Sequence, residues 1–376
     1  MARATMLWML AVGIVGLPNI GKSSLFNALS AGQAEVSNYP FTTIDSNLGV
    51  VAVPDSRLEE LRKVIEPDEC HPAHIEFIDI AGLVKGASSG EGLGNKFLGA
   101  IRQVDAIAHV VRCFGGTEVA HVFTDVDAER DVEIVETELL LADLEILRKS
   151  LEKRRKEWQT DAKAFKGDKE RLEHYLELLK EGIPLRSVRP DREARQEMKA
   201  LGLLTGKPVL YVANVAEQEL GEGGSPALAA LQRLGRWPGD AEEAIVVPVS
   251  AKIEWELMQL EPEERPLFME ELGLEATGLD RVVEASFRLL GLIRFYTLAN
   301  RKLQAWEVPS GTRAPQAAGQ IHTDMEHGFI RAHVATFEQV REHGSFQKLH
   351  HLGLLRTEGK DYAIQDGDVV EFFFSG

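Results

Sequence analysis

The sequence predicts an α/β fold with a parallel-rich sheet, and three features support this. Short apolar runs alternate with helical patterns early in the chain, a long charged segment with helical spacing interrupts them, and short strands separated by turns close the chain. Alternation of strands and helices is typical of a parallel sheet. We therefore expect a discontinuous α/β domain, a helical insertion and a compact mixed α and β domain.

The strands of the first domain are predicted where apolar runs precede and follow the charged segment. Their ranges are 10–15, 49–53, 74–80, 106–111, 208–213 and 244–249. Because the strand pattern resumes after the charged segment, that segment is an insertion between strands of one domain. We assign residues 10–126 and 205–290 to this domain.

The insertion, assigned to residues 127–204, has apolar residues at helical spacing that break near 165–168 and resume until Gly182. Two antiparallel helices joined by a tight turn are the simplest interpretation. The last domain is assigned to residues 291–376. Its short strands are predicted at 303–308, 328–334 and 368–374.

Composition places the chain among globular proteins. Hydrophobic residues make up 44% and charged residues 27% of the 376, and no apolar run is long enough to cross a bilayer. Cys70 and Cys113 form neither a disulfide framework nor a metal-binding spacing, so a reducing cytoplasm fits best. We expect a cytoplasmic monomer with no membrane partner. Residues 1–8 imitate a signal peptide, but cleavage would remove the strand at 10–15, so we interpret them as a dispensable extension.

A glycine-rich loop, Gly16-Leu-Pro-Asn-Ile-Gly21-Lys22-Ser23, lies between the first strand and an amphipathic helix. Such a loop lets backbone N–H groups curl round phosphates, while the helix N-terminus favours negative charge. Lys22 is the predicted catalytic contact to the β and γ phosphates, and the Ser23 hydroxyl is a predicted Mg²⁺ ligand. A plain glycine turn is the alternative, but the flanking strand and helix favour a phosphate loop (P-loop). The residues expected to bind the nucleotide here are Pro18, Asn19, Ile20, Gly21, Lys22, Ser23 and Ser24.

The stretch His74-Ile-Glu-Phe-Ile-Asp79-Ile-Ala-Gly82 is an apolar strand that ends in an aspartate and a glycine. This arrangement can hold Mg²⁺ at the strand tip while the backbone N–H of Gly82 meets the γ phosphate. An aspartate at a strand end is also a common turn former. With a P-loop upstream, we predict that Asp79 is a metal ligand and that Gly82 takes part in catalysis.

Two further segments have the composition of mobile loops that respond to the nucleotide. Residues 38–43 lie between the P-loop and Asp79, where a threonine hydroxyl can reach the metal once the γ phosphate is bound. Thr43 is the predicted ligand and Thr42 the alternative. The glycine-rich stretch 86–94 can likewise move, although such stretches are often only linkers.

The ordered set GLPNIGKS, NYPFTT, DIAG, NVAE and SAK resembles the nucleotide-binding domain of translation-factor-type GTPases. In particular, the chain is similar over nearly its full length to the Obg-like ATPase (YchF) subfamily. The most specific matches are DIAGLVKGASSGEGLGNKF, ANVAE and APQAAGQIHTDMEHGFIRA. The resemblance implies a P-loop NTPase domain (G-domain), a helical coiled-coil insertion and a C-terminal TGS domain of ubiquitin-like β-grasp fold.

The motif that reads the base departs from the usual Asn-Lys-x-Asp, because here it is Asn214-Val215-Ala216-Glu217. A short Asp accepts both donors of guanine, whereas Glu places its carboxylate about one methylene further out. The resemblance therefore implies ATP as the preferred nucleotide and GTP as a weaker one, with selectivity relaxed by roughly 1–3 kcal/mol. The residues expected near the base are Asn214, Val215, Glu217, Ser250 and Ala251.

Leu83 stands where small GTPases carry the glutamine that orients the attacking water. An aliphatic side chain cannot do this, so we expect slow hydrolysis without a partner. His121 is the predicted catalytic replacement, and an exposed loop histidine is the alternative. His109 lies within a strand and is more often a packed histidine.

The region Arg148–Ala200 carries sixteen Lys or Arg against eleven Asp or Glu in a chain with a formal charge of −17. A charged helical pair is usually a solvated face, but the resemblance implies ribosomal or structured RNA as its target. The further residues predicted to contact RNA lie in the last domain and are Arg301, Lys302, Arg313, His322, His327 and His333.

The expected function is a Mg²⁺-dependent ATP switch, and the alternative is a regulatory protein in which hydrolysis is incidental. A phosphoryl-transferring kinase lacks a recognisable acceptor pocket.

Overall fold

The structure, a computed structural model, describes residues 10–31, 47–80, 93–115, 125–160, 166–188, 190–220, 225–234, 245–261 and 263–375. Its contacts divide the chain into two compact units. The P-loop unit comprises the described residues of 11–49 and 77–282, and the C-terminal unit comprises 50–76 and 283–375. No helix in these ranges is both long enough and apolar enough to span a bilayer.

The first sheet has six strands in the order β2-β4-β1-β5-β6-β7. Their bounds are β1 Ala11–Val15, β2 Leu48–Ala52, β4 His74–Asp79, β5 Ala106–Arg112, β6 Val209–Asn214 and β7 Val246–Val249. The pairs β1–β5, β5–β6 and β6–β7 are parallel, as predicted. All seven residues of β5 are buried, which is usual for a strand covered on both faces of a parallel sheet.

Helices connect these strands and form the insertion. Their bounds are α1 Lys22–Ala31, α3 Leu93–Gln103, α4 Ala128–Thr160, α5 Lys166–Lys180, α6 Arg192–Leu201, α7 Pro226–Leu234, α8 Ala251–Gln259, α9 Arg265–Glu271 and α10 Gly278–Leu289. The break predicted near 165–168 falls at the start of α5. Leu147 and Trp158 of α4 pack with Leu172 and Tyr175 of α5 in one apolar cluster.

One buried carboxylate fastens α4 to the chain that precedes β6. Asp143 is fully buried and accepts hydrogen bonds from the backbone N–H groups of Leu204 and Thr205, at 2.8 Å each, and from the Thr205 hydroxyl at 2.7 Å. Burial raises the pKa of Asp143 to about 6, although these bonds oppose the shift. The middle of α4 is therefore held by a polar anchor as well as by apolar packing.

The second sheet belongs to the C-terminal unit and has the order β11-β10-β12-β8-β9-β3. Its strands are β3 Glu69–His71, β8 Leu292–Ala299, β9 Lys302–Pro309, β10 Phe329–Thr336, β11 Arg356–Glu358 and β12 Asp368–Phe374. The helices of this unit are α2 Ser56–Ile65, α11 Ala314–Ile321, α12 Thr323–His327, α13 Phe337–His343 and α14 Phe346–His351. Phe295, Val334 and Phe372 lie in its core, where the rings of Phe295 and Phe372 meet edge to face at 5.9 Å.

The contacts of residues 50–76 differ from the predicted domain boundaries. The sequence assigned this segment to the α/β domain, and the strands at its ends, β2 and β4, do lie in the first sheet. By contrast, α2 and β3 between them contact α13 and β9, and the segment is grouped with residues 283–375. Strand β3 pairs in parallel with β9, so that Cys70 lies opposite Leu303. A three-residue strand carries too little periodicity to be predicted, and its partner is distant in sequence.

Candidate functional site

The P-loop follows β1 and ends where α1 begins at Lys22. Two of its glycines are required by the backbone, since Gly16 has a φ of +148° and Gly21 a φ of +97°. A Cβ on Gly16 would lie 2.5 Å from the carbonyl oxygen of Val110, and one on Gly21 would lie 2.5 Å from Nδ2 of Asn214. These positions therefore accept only glycine without rearrangement.

Lys22 is buried and faces the loop. Its Nζ donates a hydrogen bond to the carbonyl oxygen of Leu17 at 2.6 Å. Burial lowers the pKa of Lys22 to about 8, and the negative charge of Asp79 partly opposes this shift. A cation desolvated in this way lacks a full counter-charge, and a phosphate would supply one.

Ser23 and Asp79 come together from different elements. The Ser23 hydroxyl donates to Oδ2 of Asp79 at 3.3 Å, and Asp79 is the last residue of β4. Within the described ranges, Oδ1 of Asp79 is buried and has no hydrogen-bond partner. A hydroxyl and a carboxylate with a free buried oxygen suit Mg²⁺, which binds oxygen ligands and is usually completed by water and substrate phosphates. The third predicted ligand, Thr43, lies outside the described residues.

Asn214 joins two loops of the site. At the end of β6, its Nδ2 donates to the carbonyl oxygen of Ile20 at 2.9 Å, and its Oδ1 accepts from the backbone N–H of Ala251 at 3.2 Å. Asn214 is itself buried. Both ends of the amide are therefore engaged in holding the P-loop against the start of α8.

Glu217, the acid of the altered base motif, forms an ion pair. Its Oε2 lies 3.2 Å from Nζ of Lys252, and the same Nζ lies 3.7 Å from Oε1 of Glu256. The hydrogen bond to Glu217 is the largest cause that raises the pKa of Lys252. One oxygen of the Glu217 carboxylate thus accepts a hydrogen bond from a lysine one residue beyond the predicted base contact Ala251.

These loops enclose a cavity of about 1030 Å³. Of the predicted nucleotide contacts, only Pro18 and Ile20 do not line it, and the Ile20 side chain is buried. Further lining residues that the sequence analysis missed are Asn27, Phe114, Ala216, Gln218, Lys252 and Trp255. Phe114 could have been found from its place just after β5, at the edge where parallel strands end. Trp255 lies one helical turn after Ala251.

Two predicted catalytic residues, Gly82 and His121, lie outside the described residues, as does Leu83, which stands where small GTPases carry a glutamine. His109, by contrast, is described and is a packed histidine of β5. Its ring contacts that of Tyr211 at a centroid distance of 5.7 Å, and burial lowers the pKa of His109 to about 3. It is therefore neutral and buried at physiological pH.

The residues predicted to contact RNA have acidic neighbours. Arg301, in the tight turn between β8 and β9, pairs with Asp68 at 2.8 Å, and Arg313 pairs with Asp361 at 3.0 Å. Similar contacts join Lys302 to Glu69, His322 to Asp324 and His333 to Glu371. On the helical pair, Lys153 and Arg155 are exposed near the end of α4. Within the insertion, Lys149 pairs with Glu145, Lys169 with Glu173 and Arg171 with Glu197, so local ion pairs partly neutralise its basic excess.

Comparison with known proteins gives matches over nearly the whole chain. A family model described as a 50S ribosome-binding GTPase matches residues 11–214, and the model YchF-GTPase_C, described as a protein of unknown function, matches residues 292–375. The chain is 45% identical to the ribosome-binding ATPase YchF of Bacillus subtilis, covering 97% of this chain and 99% of the relative. It is 44% identical to the protein of the same name from Escherichia coli O157:H7, with 96% and 98% covered.

A solved structure, that of the Schizosaccharomyces pombe YchF GTPase, agrees with a TM-score of 0.85 at 34% identity. The match covers 97% of this chain and 98% of that chain. The resemblance and the fold class predicted from the sequence are both confirmed.

Proposed function

This chain belongs to the YchF family, and we propose that it is a Mg²⁺-dependent ATPase that acts as a cytoplasmic molecular switch. The observation that carries the proposal is one cavity lined both by Lys22, Ser23 and Ser24 of the phosphate-binding segment and by Glu217 and Lys252 from the segments that follow β6 and β7. A nucleoside triphosphate has the same two-ended chemistry, with an anionic tail and a base. The relatives named as ribosome-binding ATPases support the same assignment.

The phosphate end supplies charge and a metal site. Lys22 is desolvated and would regain a counter-charge from the β and γ phosphates. Ser23, Asp79 and Thr43 would hold Mg²⁺, which neutralises phosphate charge when bound. The first two already lie together, with 3.3 Å between the Ser23 hydroxyl and Oδ2 of Asp79.

The base end favours adenine over guanine. A guanine-reading carboxylate must be free to accept two hydrogen bonds from the base, but Glu217 is paired with Lys252. Adenine has no such donor pair and does not need that carboxylate. We propose a preference for ATP, with GTP binding retained at lower affinity because the phosphate contacts are common to both nucleotides.

Hydrolysis is proposed to be slow without a partner, since Leu83 cannot orient a water molecule. We propose that His121 or a group from a partner orients the attacking water molecule instead.

The ribosome or structured RNA is the proposed partner, bound through the helical pair and the C-terminal unit. Lys153 and Arg155 are exposed charges on the helical pair that could meet a phosphate backbone.

Competitive titration of the purified chain with ATP and GTP tests the base assignment, and tighter binding of ATP is expected. Single-turnover hydrolysis with and without ribosomes tests the switch. Stimulation by ribosomes is expected. A rate that does not respond, together with an RNA affinity that is equal in all nucleotide states, would instead support a regulatory protein in which ATP is a structural ligand.

A further inference from the structure

Residues 50–76 interrupt the P-loop unit in sequence and are grouped by their contacts with the C-terminal unit, although residues 50–52 of β2 and 74–76 of β4 also take part in the first sheet. The segment contains α2 and β3. It follows the stretch that contains Thr43, and it ends three residues before Asp79. The two proposed metal ligands that lie outside the P-loop therefore flank a piece of chain that belongs to another folding unit.

A buried network of charged groups fixes the start of this segment. Asp55 caps α2 by accepting from the backbone N–H of Arg57 at 3.1 Å, and it also accepts from the Tyr296 hydroxyl at 2.7 Å. A guanidinium nitrogen of Arg294 lies 3.7 Å from the same carboxylate, and the side chains of Arg294 and Asp55 are only 8% and 3% exposed. Buried paired charges of this kind are costly to separate, because each would be left without its partner.

Further contacts hold the rest of the segment. Arg57 forms a two-pronged pair with Asp366, with N–O distances of 2.8 and 3.2 Å. Near the other end, the buried carboxylate of Glu307 accepts a hydrogen bond from the backbone N–H of His74. Two exposed pairs add to these contacts, Arg301 with Asp68 and Arg341 with Glu60. The segment is thus held at several points between Asp55 and His74.

We infer that residues 50–76 couple the nucleotide state to the C-terminal unit, because any movement of Asp79 on phosphate binding is transmitted through β4 to a segment anchored at His74, Asp55 and Arg57. This inference rests on the proposed ATP-switch function and adds a means of regulation to it. Coupling of this kind is reciprocal, so weakening the anchor must change nucleotide affinity in return. The change must differ between the triphosphate and diphosphate forms, since only the former presents a γ phosphate to the flanking ligands.

The test measures the affinities of the full chain for ADP and for adenylyl imidodiphosphate, each with Mg²⁺, and takes their ratio. Asp55→Asn is expected to change this ratio at least about fivefold, the lower end of usual coupling strengths. Tyr296→Phe removes only the hydroxyl that donates to Asp55, so it should fold normally and change the ratio at least about twofold. If Asp55→Asn does not fold, the ratio measured for Tyr296→Phe alone tests the coupling.

Asp361→Asn is the matched control, because it removes the charge of another aspartate paired with an arginine in the same unit, Arg313, outside the segment 50–76. Its ratio should stay within about twofold of the wild-type ratio. The coupling is refuted if the wild-type chain binds both nucleotides and neither Asp55→Asn nor Tyr296→Phe changes the ratio, or if Asp361→Asn changes it equally. A wild-type chain that binds neither nucleotide refutes the proposed function and the coupling with it.

Discussion

Replacing Asn214 with alanine tests whether this side chain braces the loops or reads the base. In the structure its amide makes two hydrogen bonds, to the carbonyl oxygen of Ile20 and from the backbone N–H of Ala251, and both involve a buried side chain. A hydrogen bond contributes about 0.5–1.5 kcal/mol, so losing two weakens the closed site by about 1–3 kcal/mol. Since about 1.4 kcal/mol is a tenfold change, the nucleotide affinity should fall by about 5-fold to 150-fold.

The assay is isothermal titration of Asn214→Ala with ATP, GTP and inorganic triphosphate, each with Mg²⁺. If the side chain holds the P-loop in shape, all three ligands should lose affinity by a similar factor. Glu217→Ala is the comparison, because it alters the base end alone and should leave the triphosphate affinity unchanged. The bracing role is wrong if Asn214→Ala weakens ATP while inorganic triphosphate binds as before.

Three other substitutions examine separate parts of the site and the fold. Lys22→Ala should abolish the thermal stabilisation given by nucleotide, while the melting temperature of the ligand-free chain does not fall, since a buried charge is removed; retained stabilisation would place the phosphates elsewhere. Glu217→Asp combined with Val215→Lys should shift competitive binding toward GTP by about tenfold, and an unchanged preference would mean that other residues read the base. Burial raises the pKa of Asp143 to about 6 from an ordinary value of 3.8, so the folded state holds this proton more tightly than the unfolded state does. Its contribution to the free energy of unfolding must therefore fall as pH rises from about 4 to about 6, by up to about 3 kcal/mol, and Asp143→Asn should remove that part of the pH dependence in urea titrations. A variant and a wild type with parallel pH profiles would contradict the assignment.

The sequence was sufficient for the parts of the fold that depend on local pattern. Buried parallel strands such as β5 are continuous apolar runs, and the long helix α4 repeats its apolar residues at helical spacing, so both are visible without knowledge of their neighbours. The P-loop was equally clear, because the glycines at 16 and 21 and the adjoining Lys22 satisfy backbone and charge requirements within eight residues. The family resemblance followed from such local motifs and was confirmed.

Tertiary structure decided which distant groups meet. The sequence predicted that Asn214 lies near the base, but only the folded chain shows its amide divided between Ile20 and Ala251. The same holds for the pair formed by Glu217 and Lys252, and for Trp255 as part of the cavity wall. No local pattern encodes these contacts, because their members come from segments that are far apart in the sequence.

The P-loop was thus determined by the sequence alone, as a local structure whose residue types are imposed by phosphate chemistry. The placement of residues 50–76 was determined only by the tertiary structure. Strand β3 is three residues long, and its hydrogen-bonding partner β9 begins at Lys302. Such pairing is stabilised by burial and ion pairs between residues far apart in the chain, and neither leaves a periodic signal in the sequence.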